Sequence, residues 1–181
     1  MAGLGNRQMT PDAIGPKTTD LLLITRHLVE NLPEEFPGFR PVAALAPGVT
    51  GTTGVETGEL LAGVLQTIRP ACLIAVDALA ARRQERVCRT IQVSNTGIVP
   101  GSGVGNHRRE ISARVLGVPV VALGIPTVVS SRVLGGTAEE MYVTPREIDQ
   151  LINRGAKLLG MSINVCLQRH LQPRDLYTLV G

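Results

Sequence analysis

Aromatic residues are almost absent from this sequence. Its 181 residues include two Phe, two Tyr and no Trp, and its net charge is only +3. Four scattered rings without a long basic run cannot build the stacking platform and basic patch that nucleic-acid-binding proteins use. We therefore expect no nucleic acid as a partner, and a core made of Leu, Val, Ile and Ala.

Cysteine pairs and long apolar segments are lacking as well. Cys72, Cys88 and Cys166 are far apart and form no Cys-x-x-Cys pair, which argues against a disulfide framework and a structural zinc site. No signal peptide opens the chain, and no apolar run reaches the roughly 18 residues that a membrane span needs. We expect a protein of the reducing cytoplasm without membrane contact.

Strand and helix patterns alternate along the chain, which predicts an α/β fold with a mainly parallel sheet and a single domain over 1–181. The apolar and turn patterns predict strands at 1–5, 42–45, 71–76, 90–94, 118–124 and 127–130. Helices are predicted at 21–30, 54–68, 107–116 and 145–167, with an Arg-rich segment of helical spacing at 82–89.

The apolar run 71–76 is the strongest strand signal, and it is followed directly by Asp77. An unbroken apolar run of this length is typical of a strand buried on both faces of a parallel sheet. An acid at its carboxyl end would lie where open α/β sheets bind their ligands. The alternative is that Asp77 only caps a following helix, since Asp is a preferred N-cap residue.

Other chemistries fit the sequence poorly. The glycine-rich runs 3–8 and 101–106 have Gln8 and Asn106 where a dinucleotide fingerprint needs its third glycine. Ser102 is outside a Gly-x-Ser-x-Gly elbow.

The three histidines, His27, His107 and His170, lack metal-ligand spacing, and only His107 follows a glycine-rich loop where a site role is open. Cys88 lies among arginines, but no sequence feature pairs it with a histidine, so an inert cysteine is the simpler interpretation. We expect neither a metal site nor a cofactor.

Two carboxylates remain as candidates for acid–base chemistry. Asp12 follows the first strand and Asp77 a central one, and parallel strands end at the same edge of a sheet. Two converging carboxyls share a proton, so that one can accept a proton from water while the other polarises a carbonyl. Two acids at strand ends are common, however, and spacing alone does not decide between a site and two caps.

Several longer motifs closely resemble the germination proteases of spore-forming bacteria, endopeptidases that degrade small acid-soluble spore proteins. The motifs are Gly-Leu-Gly-Asn at 3–6, Thr-Pro-Asp-Ala-Ile-Gly-Pro at 10–16, Leu-Ala-Pro-Gly-Val-Thr-Gly-Thr-Thr-Gly-Val-Glu-Thr-Gly-Glu at 45–59, Ala-Val-Asp-Ala-Leu-Ala at 75–80, Thr-Gly-Ile-Val-Pro-Gly-Ser-Gly-Val-Gly-Asn at 96–106 and Gly-Ile-Pro-Thr-Val-Val at 124–129.

The resemblance implies an aspartic-type peptidase of the spore core, with a three-layer fold similar to the hydrogenase maturation peptidases and helices on both faces of the sheet. Its two catalytic aspartates match Asp12 and Asp77. It further implies a zymogen activated by loss of an amino-terminal propeptide, a homotetramer, and cleavage after Glu without a cofactor.

A cut after Glu needs a positive subsite, and Arg can bind a carboxylate through two parallel hydrogen bonds. We therefore expect the substrate glutamate to be bound by one of the arginines that flank the two loops nearest Asp77, which are Arg82, Arg83, Arg86, Arg108 and Arg109. Arg82 and Arg108 are the first candidates, with His107 and Asn95 beside the glycine-rich loop as further substrate-binding residues. The alternative for each arginine is a purely solvated surface position.

The chain also departs from the family. Asn95 stands where some members have Asp, the segment 132–141 is short, and members are longer at the amino terminus, so this chain is expected to lack the propeptide and further sequence. Two other functions stay open. One is a metal-assisted maturation-type peptidase in which the same acids bind a metal, and the other is a sporulation protein that binds without cleaving.

Overall fold

The computed structural model describes residues 1–105, 108–135 and 140–180. His107 and residues 136–139 of the short segment lie outside the described residues. The strands are β1 (Ala2–Leu4), β2 (Leu45–Gly48), β3 (Leu73–Ala81), β4 (Gln92–Ser94), β5 (Val120–Ser130) and β6 (Tyr142–Val143). The helices are α1 (Ile14–Thr19), α2 (Arg26–Asn31), α3 (Thr50–Thr53), α4 (Thr57–Ile68), α5 (Ala113–Leu116), α6 (Ile148–Leu167) and α7 (Pro173–Val180).

The strands form one mixed sheet in the order β2-β1-β3-β5-β4. The four strands β2, β1, β3 and β5 are parallel, whereas β4 and β6 pair antiparallel with β5. The predicted mainly parallel α/β fold is therefore confirmed.

Both faces of the sheet are covered by helices. On one face, Ile14 of α1 and Ile152 of α6 belong to a cluster with Val76 of β3. On the other, Leu61 and Leu65 of α4 belong to a cluster with strand residues of β1, β3 and β5. The three-layer arrangement expected from the family resemblance is present.

The prediction that the apolar strand ends at Asp77 was wrong. β3 continues to Ala81 because β5 is also long and pairs with it throughout, as far as Ala81 opposite Val129. Asp77 therefore lies inside a strand and caps no helix. The strands predicted at 118–124 and 127–130 are likewise one strand, β5, which passes through Pro126 with a bulge at Thr127.

Short helical patterns were predicted less well than long ones. The Arg-rich segment forms only a single 3-10 turn, Gln84–Arg86, and the helix predicted at 107–116 is helical only over Ala113–Leu116. Helical spacing without an apolar face to bury does not stabilise a helix in water. Two helices were not predicted: α1, where only a turn was expected, and α7. α2 is shorter than predicted, and β2 begins three residues later.

α1 packs unusually close to the sheet, and this contact positions the segment that carries Asp12. A Cβ atom at Gly15 would overlap the carbonyl oxygens of Leu4 in β1 and Val76 in β3. Only glycine permits this approach at the start of α1, two residues after the 3-10 turn Thr10–Asp12. Among the described residues, no helix is long and apolar enough to cross a membrane.

Candidate active site

A cavity of about 640 Å³ lies at the carboxyl edge of the parallel strands. Its wall includes the turn after β1, the second half of β3, the loop 98–104 and the bulge of β5. Asp12 and Asp77 both line it. The sheet thus brings together two acids that are 65 residues apart in the sequence.

Asp77 is held by the strand pairing of β3. It lies opposite Gly124 of β5, and only 3% of its surface is exposed. Its Oδ1 accepts a hydrogen bond from the backbone N–H of Ala78 at 2.9 Å. The side chain is thereby fixed at the cavity wall with little access to bulk water.

Asp12 is positioned by the turn that leaves β1. Its Oδ2 accepts a 2.6 Å hydrogen bond from the backbone N–H of Asn6. Gly5, which precedes that donor, has a φ of +107°, and a Cβ atom there would overlap the carbonyl oxygen of Asp12. A glycine is therefore needed for this turn to fold back onto Asp12.

Burial raises the pKa of both acids, and the charge of Asp12 also raises that of Asp77. Burial, with a smaller contribution from the charge of Asp12, raises the pKa of Asp77 to about 7, although the Ala78 N–H and Arg108 act to lower it. Burial also raises the pKa of Asp12, while the Asn6 N–H and Arg108 lower it. Asp77 therefore keeps its proton up to about neutral pH, in the same cavity as a second carboxyl.

The predicted substrate-binding residues are placed unequally. Arg82 and Arg108 line the cavity, and Arg108 is half-buried and close enough to lower the pKa of both aspartates. Asn95 is exposed and is not among the lining residues. His107 lies outside the described residues.

Sequence reasoning missed two other features of the wall. The bulge of β5 places Thr127 at the cavity, and the Tyr142 hydroxyl donates a 3.0 Å hydrogen bond to the carbonyl oxygen of Gly103 in the loop 98–104. Bulges commonly redirect side chains next to active sites. Pro126 beside Thr127 was the one sequence signal for an irregular strand here.

The structure offers little for a metal ion. Within residues 1–105, 108–135 and 140–180, no group of three or more His, Cys, Asp and Glu side chains is arranged to hold one. What the cavity does offer is a buried carboxyl whose pKa is raised to about 7, a second carboxyl and an arginine.

The sequence matches a known family over most of its length. The family model described as germination protease matches residues 1–138. This chain belongs to the germination protease family. It is therefore a protease of spore germination.

Individual germination proteases match over different lengths. That of Clostridium perfringens strain SM101 is 40% identical over 219 residues, which cover 97% of this chain and 67% of the relative. That of Priestia megaterium is 59% identical over 132 residues, which cover 72% of this chain and 36% of the relative. The alignment with the first is longer than the 181 residues of this chain, so that germination protease carries residues within the aligned region that this chain lacks.

Among solved structures, the chain is similar to a nickel–iron hydrogenase maturation protease, HycI, from Thermococcus kodakarensis KOD1. The TM-score is 0.48 at 18% sequence identity, covering 90% of this chain and 89% of that chain.

Proposed function

We propose that this protein is an aspartic-type endopeptidase in which Asp12 and Asp77 activate the water that hydrolyses small acid-soluble spore proteins in the spore core. The observation that carries the proposal is that the two carboxyls line one cavity and that the pKa of Asp77 is raised to about 7. The working form is proposed to be the homotetramer that the family resemblance implies.

In the proposed reaction the pair begins with one shared proton. The ionised carboxylate takes a proton from water as the water oxygen attacks the carbonyl carbon of the peptide bond, and the protonated carboxyl donates its proton to the carbonyl oxygen. The tetrahedral intermediate then collapses: one of its hydroxyls returns a proton to the carboxylate that had acted as the acid as the C=O bond re-forms, the carbon–nitrogen bond breaks, and the leaving amine takes up the proton held by the base. The pair ends with one proton, as it began.

The proposed substrate preference is for Glu before the cleaved bond. Arg108 supports it, since a half-buried guanidinium beside the carboxyl pair can bind a substrate carboxylate. Arg82 lines the same cavity but is exposed. Among the neighbouring arginines, Arg109 already contacts Glu59 at 3.5 Å, so we assign it no role in substrate binding.

The experiment that tests the function is cleavage of a purified small acid-soluble spore protein by wild type, Asp12→Asn and Asp77→Asn. Each substitution keeps the side-chain shape but removes the acid, and general acid–base catalysis contributes about 10²–10⁴-fold. We expect kcat/KM to fall by at least about 10²-fold in each. Asp20→Asn is the matched control because Asp20 is exposed and pairs only with Arg7 in the described structure, and it should leave kcat/KM unchanged.

Three outcomes separate the proposal from its alternatives. Full activity of either active-site variant contradicts the two-aspartate mechanism. Activity that is lost on chelation and restored by a divalent cation indicates a metal-assisted peptidase. Binding of the spore protein without any cleavage indicates a protein that binds only.

A further inference from the structure

Among the described residues, the side of β3 that faces β1 has no neighbouring strand where β3 lines the cavity. β5 pairs with β3 along its whole length, from Leu73 to Ala81. On the opposite side, β1 is short and pairs only with Ala75 and Val76. Within the part of the chain that the structure describes, no strand pairs with residues 77–81 on that side.

The backbone groups on this edge point away from β5. The N–H of Leu73 bonds to Pro119, at the start of β5. In a parallel strand the N–H and C=O of successive residues point alternately to the two sides, so those of Ala78 and Ala80 point to the side of β1.

The backbone N–H and C=O groups on this side make almost no hydrogen bonds within the described residues. Apart from the ladder with β5, the only backbone hydrogen bond of residues 78–80 in the described structure is that of the Ala78 N–H to Asp77 Oδ1. The carbonyl oxygen of Ala78 and both backbone groups of Ala80 therefore have no hydrogen-bond partner on this side among the described residues.

The edge faces the cavity and leaves room beside it. Ala78, Leu79 and Ala80 all line the cavity, and two of the three have only a methyl side chain. The loop 98–104 lies against the end of the strand, where a Cβ atom on Gly103 would come within 2.8 Å of the Ala80 Cβ. The same Cβ atom would lie 3.3 Å from the Ala80 backbone nitrogen, so the cavity that begins beside Asp77 narrows at Ala80.

We infer that the substrate of this protease binds as an added β-strand along the free edge of β3, with its backbone hydrogen-bonded to Ala78 and Ala80. The inference rests on the proposed function and extends it to how the substrate is bound. Edge groups repeated every second residue of a strand, roughly 6.6 Å apart, match the backbone of another extended polypeptide. Pairing at Ala78 delivers a peptide bond to the neighbouring Asp77.

The test uses a decapeptide that spans a Glu-containing cleavage site of a small acid-soluble spore protein. Each backbone N–H is replaced in turn, in one series by N-methylation and in a second by an ester linkage, which removes the donor without added bulk. Binding is measured with Asp12→Asn, and cleavage with wild type. We expect a loss of roughly 10-fold or more at alternate positions near the cleaved bond, and little change at the positions between them.

Hydrogen exchange of the protein gives an independent measurement. The amide of Ala80 should exchange more slowly when the decapeptide is bound. The amide of Leu79, which already faces β5, is the internal control and should not change.

Equal losses at adjacent peptide positions, or an Ala80 amide unaffected by the bound decapeptide, overturn the inference. If Asp12→Asn still cleaves the decapeptide, the two-aspartate mechanism fails, whereas the alternation in the binding series still decides whether the peptide adds to β3. The two failures are thus distinguishable.

Discussion

At the scale of single residues, three charged side chains line one cavity: Asp12 and Arg108 are half-buried, and Asp77 is only 3% exposed. Burial raises the pKa of both Asp12 and Asp77, the charge of Asp12 raises that of Asp77 further, and Arg108 lowers both. When the two carboxyls hold one proton between them, their single negative charge is offset by the positive charge of Arg108. A substrate glutamate adds a further negative charge, which a nearby guanidinium can offset.

We predict that Arg108→Ala weakens the preference for Glu over Gln before the cleaved bond. The ratio of kcat/KM for the two substrates should fall by roughly 10-fold, because a charge-assisted hydrogen bond contributes about 1.5–3 kcal/mol. Arg109→Ala is the matched control, since the adjacent Arg109 contacts Glu59, and its ratio should stay at the wild-type value. An unchanged ratio in Arg108→Ala and in Arg82→Ala would show that neither arginine recognises the glutamate.

At the scale of elements, close packing of α1 on β1 and β3 keeps the Asp12 turn beside Asp77. The contact depends on Gly15, whose missing side chain lets the helix approach the backbone of both strands. Packed interiors do not absorb an added methyl group without backbone shifts. The position of Asp12 is therefore coupled to the contact between helix and sheet.

Gly15→Ala should lower both the free energy of unfolding and kcat/KM. We expect a destabilisation of about 1–3 kcal/mol, measured by urea unfolding, because α1 must move away from the strands. Gly63→Ala is the matched control, since no atom of the described residues lies within 4 Å of a Cβ atom at Gly63 in α4 and alanine favours a helix by about 1 kcal/mol. A Gly15→Ala protein as stable and active as wild type would contradict the role assigned to this contact.

Elements with a strong local signal were predictable from the sequence, and those shaped by neighbours were not. The amphipathic patterns of α4 and α6 placed both helices within three residues of their observed starts, and the apolar runs located β3 and β5. The extension of β3 beyond Asp77 depends on β5, a partner about 40 residues away in the chain. Local patterns carry no information on such a partner, which is why Asp77 was placed at a strand end.

The two candidate acids were predictable, but their surroundings were not. The motifs singled out Asp12 and Asp77, and the structure brings both to one cavity. The Asn6 N–H that binds Asp12 and the Thr127 bulge depend on three-dimensional packing. The local sequence does not predict the Asn6 contact, and Pro126 indicates an irregular strand near Thr127 without showing which side chain reaches the cavity.

At the scale of the whole molecule, burial of Asp77 lowers the stability of the fold at neutral and alkaline pH. Its pKa rises from 3.8 to about 7 on folding, so the folded protein binds the proton more tightly than the unfolded chain does. The free energy of unfolding therefore falls as the pH rises from about 4 to about 7, and stays low above that range.

Asp77→Asn should therefore stabilise the protein, and more so at high pH. The shift in pKa corresponds to about 4 kcal/mol above pH 8, and to almost nothing at pH 4. Urea unfolding at the two pH values measures this difference. A variant that is less stable than wild type at pH 8 would contradict the assignment of a buried, costly carboxylate to Asp77.

The most direct test of the two-aspartate site is an NMR titration of the Asp77 carboxyl carbon in wild type and in Asp12→Asn. We predict an apparent pKa of about 7 for Asp77 in wild type. In Asp12→Asn it should be lower, because the repulsion is gone, yet still above 3.8 because burial remains. An Asp77 that titrates near 4 in wild type, or whose pKa is the same in both proteins, would contradict a shared site.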